Sequence, residues 1–181
     1  MSTDQDQLKN IRHSLAHLLA SAVLQIRPDA QLGVGPTIDN GFYYDFLLNE
    51  PITPDELKQL EKLMKKQISG KLDFTREDLD FDSAKKFFED KKQPFKVELI
   101  VDIQQYGTSK ADRSEDLEVQ STDQGVSLYH TGEFVDLCRG GHVANTSEIN
   151  ADAFKLDKLA GAYWRGDEKN CKCSAFTACR N

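Results

Sequence analysis

The sequence has little of the chemistry that marks membrane-spanning, secreted or strongly RNA-binding domains. No apolar run approaches the ~18 residues that a membrane span needs. The acidic start, MSTDQDQLKN, lacks the basic and apolar regions of a secretory signal. Lys and Arg number 23 against 30 Asp and Glu, which gives a net charge of −7. We therefore expect a cytoplasmic protein with no membrane partner and little affinity of its own for RNA phosphates.

Cysteine and histidine are scarce, so their positions are informative. There are four cysteines, of which Cys138 stands alone and Cys171, Cys173 and Cys179 lie near the end of the sequence. This distribution excludes the disulfide framework of a small secreted domain. Three of the four histidines fall in two short motifs.

Hydrophobic periodicity predicts one α+β domain, with a long N-terminal helix packed on an antiparallel sheet. Helices are predicted for residues 5–27, 54–69 and 83–91. A hairpin is predicted for residues 31–48, strands for 94–101, 126–138 and 152–165, and a surface loop for 104–125. No internal repeat or low-complexity linker divides the chain.

Local signals support several of these elements. Thr53 and Glu56 form the pattern of a capping box, and Asp82 is predicted to cap the third helix. Residues 39–41, Asp-Asn-Gly, indicate a tight hairpin turn. In the predicted strand 94–101, Lys96 lies on the side away from the apolar face, where most lysines are solvated.

The first motif is His13-Ser-Leu-Ala-His17. On a helix this spacing puts both imidazoles on one face, one turn apart and roughly opposite the apolar stripe that contains Leu15. Ala16 and Ala20 lie beside them, and small neighbours are typical of a pocket wall. A pair of exposed histidines on a solvated helix face is the structural alternative.

The second motif is Asp136-Leu-Cys138-Arg-Gly-Gly-His142. At a strand end Asp136 and Cys138 point the same way, and Gly140 and Gly141 let the chain turn so that His142 returns toward Cys138. The alternative is a glycine turn after an edge strand, with Cys138 as a small buried apolar residue.

Together the two motifs supply three imidazoles and one thiol. His13, His17, Cys138 and His142 could surround a zinc ion tetrahedrally. The same groups could instead position a water against a carbonyl without a metal. The residues alone leave both possibilities open.

Five segments form an ordered set. They are HSLAHLL from His13, GPTIDNGFYYD from Gly35, PFKVELI from Pro94, FVDLCRGGH from Phe134, and FKL with AGAYWRGD from Phe154. As a set they resemble the editing domain of threonyl-tRNA synthetases, the second additional domain. The likeness covers nearly the whole chain, and the predicted domain runs over residues 1–170. Alanyl-tRNA editing proteins share the two motifs but not the flanking segments.

This resemblance implies hydrolysis of serine wrongly attached to threonine tRNA. Serine lacks one methyl of threonine, which is worth only ~1–3 kcal/mol of discrimination in a pocket. A second, smaller pocket can exclude threonine by size and cleave the serine ester. The implied partner is the acceptor end of tRNA(Thr) carrying serine, and a full-length synthetase is a further implied partner. Ligase activity is not expected from this chain.

The resemblance also implies the site residues. The implied catalytic residues are His13, Lys96, Asp136 and His142, with His13 and Lys96 activating water or stabilising charge and Asp136 holding the substrate ammonium or orienting a base. The implied substrate-binding residues are His17, Tyr44 and Cys138. For Tyr44, plain packing beside Phe42 and Phe46 is the alternative.

No cofactor is expected to be required, and zinc is an optional ligand. The metal candidates are His13, His17, Cys138 and His142. Alanyl relatives hold zinc in this constellation. The resemblance to bacterial threonyl editing sites implies hydrolysis without zinc.

The sequence departs from the family pattern at two places. Gly141 stands where the family usually has proline. Residues 171–181 differ from the family's continuation, and we hypothesise a single-base frameshift there; a metal-binding Cys-X-Cys tail is the alternative.

Two other functions stay open beside the editing hydrolase, which would act as part of a synthetase or in trans. One is a zinc-dependent trans-editing protein of the alanyl type. The other is an inactive fragment or interaction module with an intact fold.

Overall fold

A computed structural model describes residues 4–107, 125–163 and 172–178. Within these ranges the chain forms four α-helices, eight β-strands and one 3-10 turn at Thr146–Glu148. The helices are α1 Asp4–Ile26, α2 Pro54–Ser69, α3 Phe81–Asp90 and α4 Pro94–Tyr106. The strands are β1 Gln31–Leu32, β2 Thr37–Ile38, β3 Gly41–Leu47, β4 Phe74–Asp80, β5 Gly125–Thr131, β6 Phe134–Leu137, β7 Leu156–Tyr163 and β8 Lys172–Ala178.

The described strands pair into two antiparallel sheets. The larger has the order β1-β3-β8-β7, with β2 also paired to β3. The smaller has the order β4-β5-β6. The α+β class, the long N-terminal helix and the hairpin over residues 31–48 are confirmed.

Helix α1 is the central element of the larger core. Its middle section is buried all round, because α2 and β3 pack against it on different sides. Leu15, Leu18 and Leu19 join the core cluster, and the small residues Ala16 and Ala20 are fully buried as well. The predicted apolar stripe therefore accounts for only part of the buried surface of α1, because protein packs against this helix on more than one face.

Helices α2 and α3 begin at capping residues. The Thr53 side chain accepts from Glu56 N, and Glu56 reciprocates, so the predicted capping box is confirmed. The predicted Asp82 cap of α3 is wrong. Asp80 caps instead, because its Oδ1 accepts from the backbone N–H groups of Asp82 and Ser83, at 3.0 Å and 2.9 Å.

The predicted strand over residues 94–101 is wrong, because these residues begin helix α4. Pro94 occupies the first turn, where its missing N–H costs nothing, and Gly107 ends the helix with a left-handed φ of 74°. The buried residues Phe95, Leu99 and Ile103 recur every four positions. Apolar residues at positions 95, 97, 99 and 101 also alternate. The same segment therefore fits both the period of a strand and the period of a helix.

Two further predictions need correction. Residues 126–138 form two strands rather than one, because Gly132, with φ 59°, turns the chain between β5 and β6. The predicted loop 104–125 begins with the last turn of α4, and residues 108–124 lie outside the described ranges.

Strands β7 and β8 complete the larger sheet. Strand β7 confirms most of the predicted strand 152–165, and residues 164–165 lie outside the described ranges. Strand β8, within the segment predicted as an aberrant tail, pairs with both β3 and β7. The frameshift hypothesis for this segment and the domain boundary at residue 170 remain predictions.

Two apolar clusters lie on either side of a central seam. The first gathers residues of α1, α2 and β3, and the second gathers residues of α3, α4 and the smaller sheet. None of the helices in the described part of the chain has the length and apolarity that crossing a membrane requires.

Gln93 ties α4 to the larger sheet. Its Oε1 accepts from Leu32 N at 2.7 Å, and its Nε2 donates to Ala30 O at 3.0 Å. The side chain is only 6% exposed, so water does not replace these bonds. This bridge fixes where α4 begins relative to β1.

We predict that Gln93→Leu lowers the free energy of unfolding by roughly 2 kcal/mol or more, because it leaves a buried N–H and a buried C=O without partners. Urea denaturation measures the change. The control is Gln104→Leu on the exposed side of the same helix, which should stay within about 0.5 kcal/mol of the parent. Equal stability of the two variants would contradict the bridge.

Candidate active site

A cavity of about 300 Å³ opens at the seam between the two clusters. Its walls come from the first half of α1, the β1–β2 loop, α4 and the chain that follows β6. The lining residues are Lys9, Asn10, His13, His17, Val34, Gly35, Pro36, Thr37, Lys96, Leu99, Asp136, Leu137, Cys138, Arg139, Gly140 and Gly141.

The two histidine motifs meet at this cavity. The ligating atoms of His13, His17, Cys138 and His142 all lie within 4.8 Å of one another. Cys138 Sγ is 3.2 Å from His142 Nε2 and 3.5 Å from His13 Nε2. The ring centroids of His13 and His142 are 4.1 Å apart, and those of His17 and His142 are 4.3 Å apart. Helix α1 and the loop after β6 therefore bring three imidazoles and one thiol close together.

The solvated-helix alternative for the first motif does not hold. His17 is 2% exposed, and Phe134 packs edge-on to its ring at 5.8 Å. Ala16 and Ala20 are fully buried beside it, so small side chains do allow close packing around the histidines.

The second motif depends on its two glycines. Gly140 and Gly141 have φ values of 120° and 82°, which side-chain-bearing residues rarely adopt. A Cβ on Gly140 would also lie 2.6 Å from Tyr129 Oη. At Gly141 the backbone takes a φ that proline's fixed ring angle forbids, so this loop is built for glycine.

Burial keeps the imidazoles neutral near neutral pH. Desolvation lowers the pKa of His13 from 6.5 to about 4, while hydrogen bonds with the backbone of Gly141 and Gly140 act in the opposite direction. Desolvation also lowers the pKa of His17 and His142, and each imidazole near the others lowers it further. Each neutral ring therefore keeps one lone pair that can accept a hydrogen bond or bind a metal.

Burial acts on the thiol as well. Desolvation raises the pKa of Cys138 to about 12, so its sulfur carries a proton in the metal-free site. A protonated thiol is a poor nucleophile, which argues against covalent catalysis by Cys138 without a metal.

A buried ion pair forms the floor of the cavity. Lys96 Nζ lies 2.6 Å from Asp136 Oδ1, and Tyr44 Oη donates to Asp136 Oδ2 at 2.6 Å. Lys96 Nζ also donates to Tyr44 Oη at 3.1 Å. His17 Nε2 is 3.8 Å from Asp136 Oδ2. All four residues are at most 2% exposed.

The expectation that Lys96 is a solvated strand lysine is wrong. Helix α4 turns it inward, toward Asp136 on strand β6 of the smaller sheet. Tyr44 stacks on Phe46 at 4.8 Å, so it packs as expected, and it also bonds to Asp136. Desolvation raises the pKa of Tyr44 well above 10, which keeps its hydroxyl a donor.

The structure brings all seven predicted site residues together but places them in two layers. His13, His17, Lys96, Asp136 and Cys138 line the cavity itself. Tyr44 lies behind this layer against Asp136, and His142 lies behind it against Cys138.

Comparison with known proteins shows which proteins this chain is similar to. Residues 126–171 match the family described as the threonyl and alanyl tRNA synthetase second additional domain. The chain is 46% identical over 162 residues, 90% of its length, to a threonine–tRNA ligase of Dehalococcoides mccartyi. It is 43% identical over 166 residues to that of Paramagnetospirillum magneticum and 45% over 167 residues to that of Rhodopseudomonas palustris.

Over 90% of its length the chain is similar to one part of these threonine–tRNA ligases, and it corresponds to a fragment of their editing region. The chain spans about a quarter of the length of these curated relatives, 24% of the first and 23% of the other two.

Several neighbours of this candidate site carry no sequence signal. Phe74, in the unpredicted strand β4, stacks on His142 at 4.8 Å, and Tyr129 lies 4.9 Å from the same ring. A Cβ on Gly35 would lie 2.3 Å from the ring of Tyr44, so this glycine admits the tyrosine. Ser14 is a further neighbour of the site, and its position inside the first motif could have indicated this.

The buried imidazole of His13 predicts acid sensitivity of the fold. Its pKa is about 4 when folded and 6.5 when unfolded, so between these values the unfolded chain binds more protons. The stability that the neutral ring contributes is present above about pH 6.5 and is lost as the pH falls toward 4. We predict that the free energy of unfolding of His13→Asn falls less steeply with acidification, by up to about 1.4 kcal/mol per pH unit.

Asp45 acts in the opposite direction, because desolvation raises its pKa to about 6. Asp45 is present in both proteins, so its contribution cancels in the difference between their urea denaturation curves, which reports His13 together with its effect on the pKa of His17 and His142. Parallel pH dependences would contradict the assignment.

Proposed function

We propose that this chain hydrolyses the ester bond of mischarged aminoacyl-tRNA, with serine on threonine tRNA as the substrate. The observation that carries the proposal is the placement of His13 and Lys96 on one cavity. A neutral imidazole can take a proton from water, and an ammonium can stabilise negative charge on a carbonyl oxygen. Ester hydrolysis needs a proton acceptor for the attacking water and a positive charge near the carbonyl oxygen, both beside the same carbonyl carbon.

The cavity suits a small acyl group on a nucleotide. Its volume of about 300 Å³ is at the small end of ligand pockets, which run from roughly 300 to 1,000 Å³. Lys9 and Arg139 line it where it meets the surface, so its mouth is basic although the chain is acidic overall. This local charge favours a terminal phosphate, while the rest of a synthetase would supply most of the tRNA affinity.

The proposed reaction is direct attack by water. Water oxygen attacks the ester carbonyl carbon, and His13 Nε2 accepts the water proton. The carbonyl oxygen becomes negatively charged beside the Lys96 ammonium. The bond to the ribose oxygen then breaks, that oxygen takes the proton, and free serine leaves with its carboxyl group.

Asp136 is better suited to orienting its neighbours than to holding the substrate ammonium. Its Oδ1 already meets Lys96 Nζ and Leu137 N, and its Oδ2 accepts from Tyr44 Oη. A substrate ammonium would have to displace one of these buried partners. We therefore assign to Asp136 and Tyr44 the positioning of the Lys96 ammonium.

His17 and Cys138 are proposed to contact the substrate, since both line the cavity between His13 and Asp136. His142 contacts Cys138 from behind, and we assign it an indirect role through the thiol.

A zinc-dependent hydrolase of the alanyl type is the second candidate, and the four clustered ligands favour it. His17 Nδ1 is buried and has no hydrogen-bond partner in the described part of the chain, which fits a nitrogen awaiting a metal. His13, His17, Cys138 and His142 would hold the ion. When bound, zinc would supply Lewis acidity and remove the Cys138 proton.

The number of ligands argues for a structural role of such an ion. Catalytic zinc sites usually have three protein ligands and one open position, whereas four protein ligands fill the tetrahedron. The Lys96 ammonium on the same cavity supplies the charge that a metal would otherwise supply.

We predict that the purified chain removes serine from seryl-tRNA(Thr) faster than threonine from threonyl-tRNA(Thr). His13→Ala should lower the rate about 100-fold, the usual effect of losing a general base. The matched control is His130→Ala, because His130 lies at the surface and pairs with Glu77 at 2.7 Å. Hydrolysis is followed by acid precipitation of labelled aminoacyl-tRNA, with and without EDTA.

Each arm of this experiment separates the candidates. Activity that EDTA abolishes and zinc restores, on mischarged alanine tRNA, would favour the alanyl type. No cleavage above buffer at high protein concentration would overturn the hydrolase proposal and leave an inactive domain. Equal rates for His13→Ala and the parent would overturn the role of His13.

A further inference from the structure

We infer that Ser14 is a positioning residue that fixes the tautomer of His142, so that the Cys138 thiol hydrogen goes to His142 and leaves His13 Nε2 free. Its mechanistic consequence rests on the proposed hydrolysis, whereas the tautomer itself does not. Ser14 lies between the two histidines of the first motif and is fully buried. It is outside the set of residues that line the cavity.

The hydroxyl of Ser14 is shared by three groups. Its Oγ donates to Asn10 O at 2.8 Å, one turn back along α1. It accepts from Val143 N at 3.0 Å. His142 Nδ1 lies 3.4 Å from the same oxygen.

Counting hydrogens decides the third contact. A serine hydroxyl has one hydrogen and two acceptor positions. The hydrogen points to the nearer acceptor, Asn10 O, and the Val143 N–H can only donate. The remaining acceptor position faces His142, so Nδ1 of that ring carries a hydrogen and Nε2 carries the lone pair.

The tautomer then sets the direction of the next bond. His142 Nε2 is 3.2 Å from Cys138 Sγ, and with a lone pair it can only accept the thiol hydrogen. His13 Nε2 is 3.5 Å from the same sulfur and no longer receives that hydrogen. Its lone pair is available to a water in the cavity.

The opposite tautomer would reverse this order. With hydrogen on His142 Nε2, that ring would donate to the sulfur. The thiol hydrogen would then have His13 Nε2, at 3.5 Å, as its nearer acceptor, ahead of Gly140 O at 3.8 Å, and would occupy the proposed base. Ser14 is linked to the cavity by two successive hydrogen bonds, through His142 and Cys138. It therefore controls whether the Nε2 lone pair of His13 is free to bind water.

The direct test is the tautomer of His142, read from long-range ¹H–¹⁵N spectra of the metal-free, ¹⁵N-histidine-labelled chain. Only four histidines contribute signals, and His142→Gln assigns the relevant pair. We expect a protonated Nδ1 and an unprotonated Nε2 in the parent. In Ser14→Ala we expect this pattern to be lost as the dominant form.

The matched control is Ser21→Ala, which removes a hydroxyl from the same helix that accepts from Gln67 Nε2 instead. It should leave the His142 spectrum unchanged. Should Ser14→Ala not fold, Ser14→Cys keeps the size while weakening the acceptor.

A protonated Nε2 on His142 in the parent would overturn the inference. So would an undiminished Nδ1–H pattern in the Ser14 variant. Both results need no turnover, so they are distinct from a failure of the proposed hydrolysis. If the chain hydrolyses seryl-tRNA, Ser14→Ala should lower the rate about tenfold with Ser21→Ala unaffected.

Discussion

The charge of Asp136 is the constraint on which the site depends. A carboxylate that is 2% exposed loses its water, and the cost in a protein interior is several kcal/mol unless partners compensate it. Its partners come from three other places in the chain, Lys96 on α4, Tyr44 on β3 and His17 on α1. Compensating one charge therefore holds both sheets and two helices around the same cavity.

The same exclusion of water gives the histidine cluster its chemistry. Three imidazoles packed within contact of one another stay neutral because each charged form would be desolvated and repelled by the others. Lys96 supplies a buried cation to the site, and Asp136 balances its charge. In the proposed hydrolysis the site thus separates a proton acceptor, His13, from a positive charge, Lys96, which is what attack on an ester requires.

Residue spacing predicted much of the fold and the convergence of the two histidine motifs, because caps, turns and helical repeats are local. It failed for Lys96, since the apolar residues around it fit a strand and a helix equally well. Strand β4, sequence FTREDLD, is mostly exposed and so shows no alternation. The contacts of Phe74 and Tyr129 with His142 arise only from strand pairing across distant segments. The role of Ser14 needs a hydrogen count that a sequence does not supply.

Lys96 and Asp136 stabilise each other in the interior, and a double-mutant cycle measures this coupling directly. The variants are Lys96→Met, Asp136→Asn and the double, each measured by urea denaturation. We expect Lys96→Met to lose about 3–5 kcal/mol of stability, and we expect the double variant to lose well under the sum of the two single losses. The exposed pair Lys85–Asp82, at 2.8 Å, provides a control cycle with a coupling below about 1 kcal/mol. Additive losses of stability for the two single variants would mean that Lys96 and Asp136 do not stabilise each other.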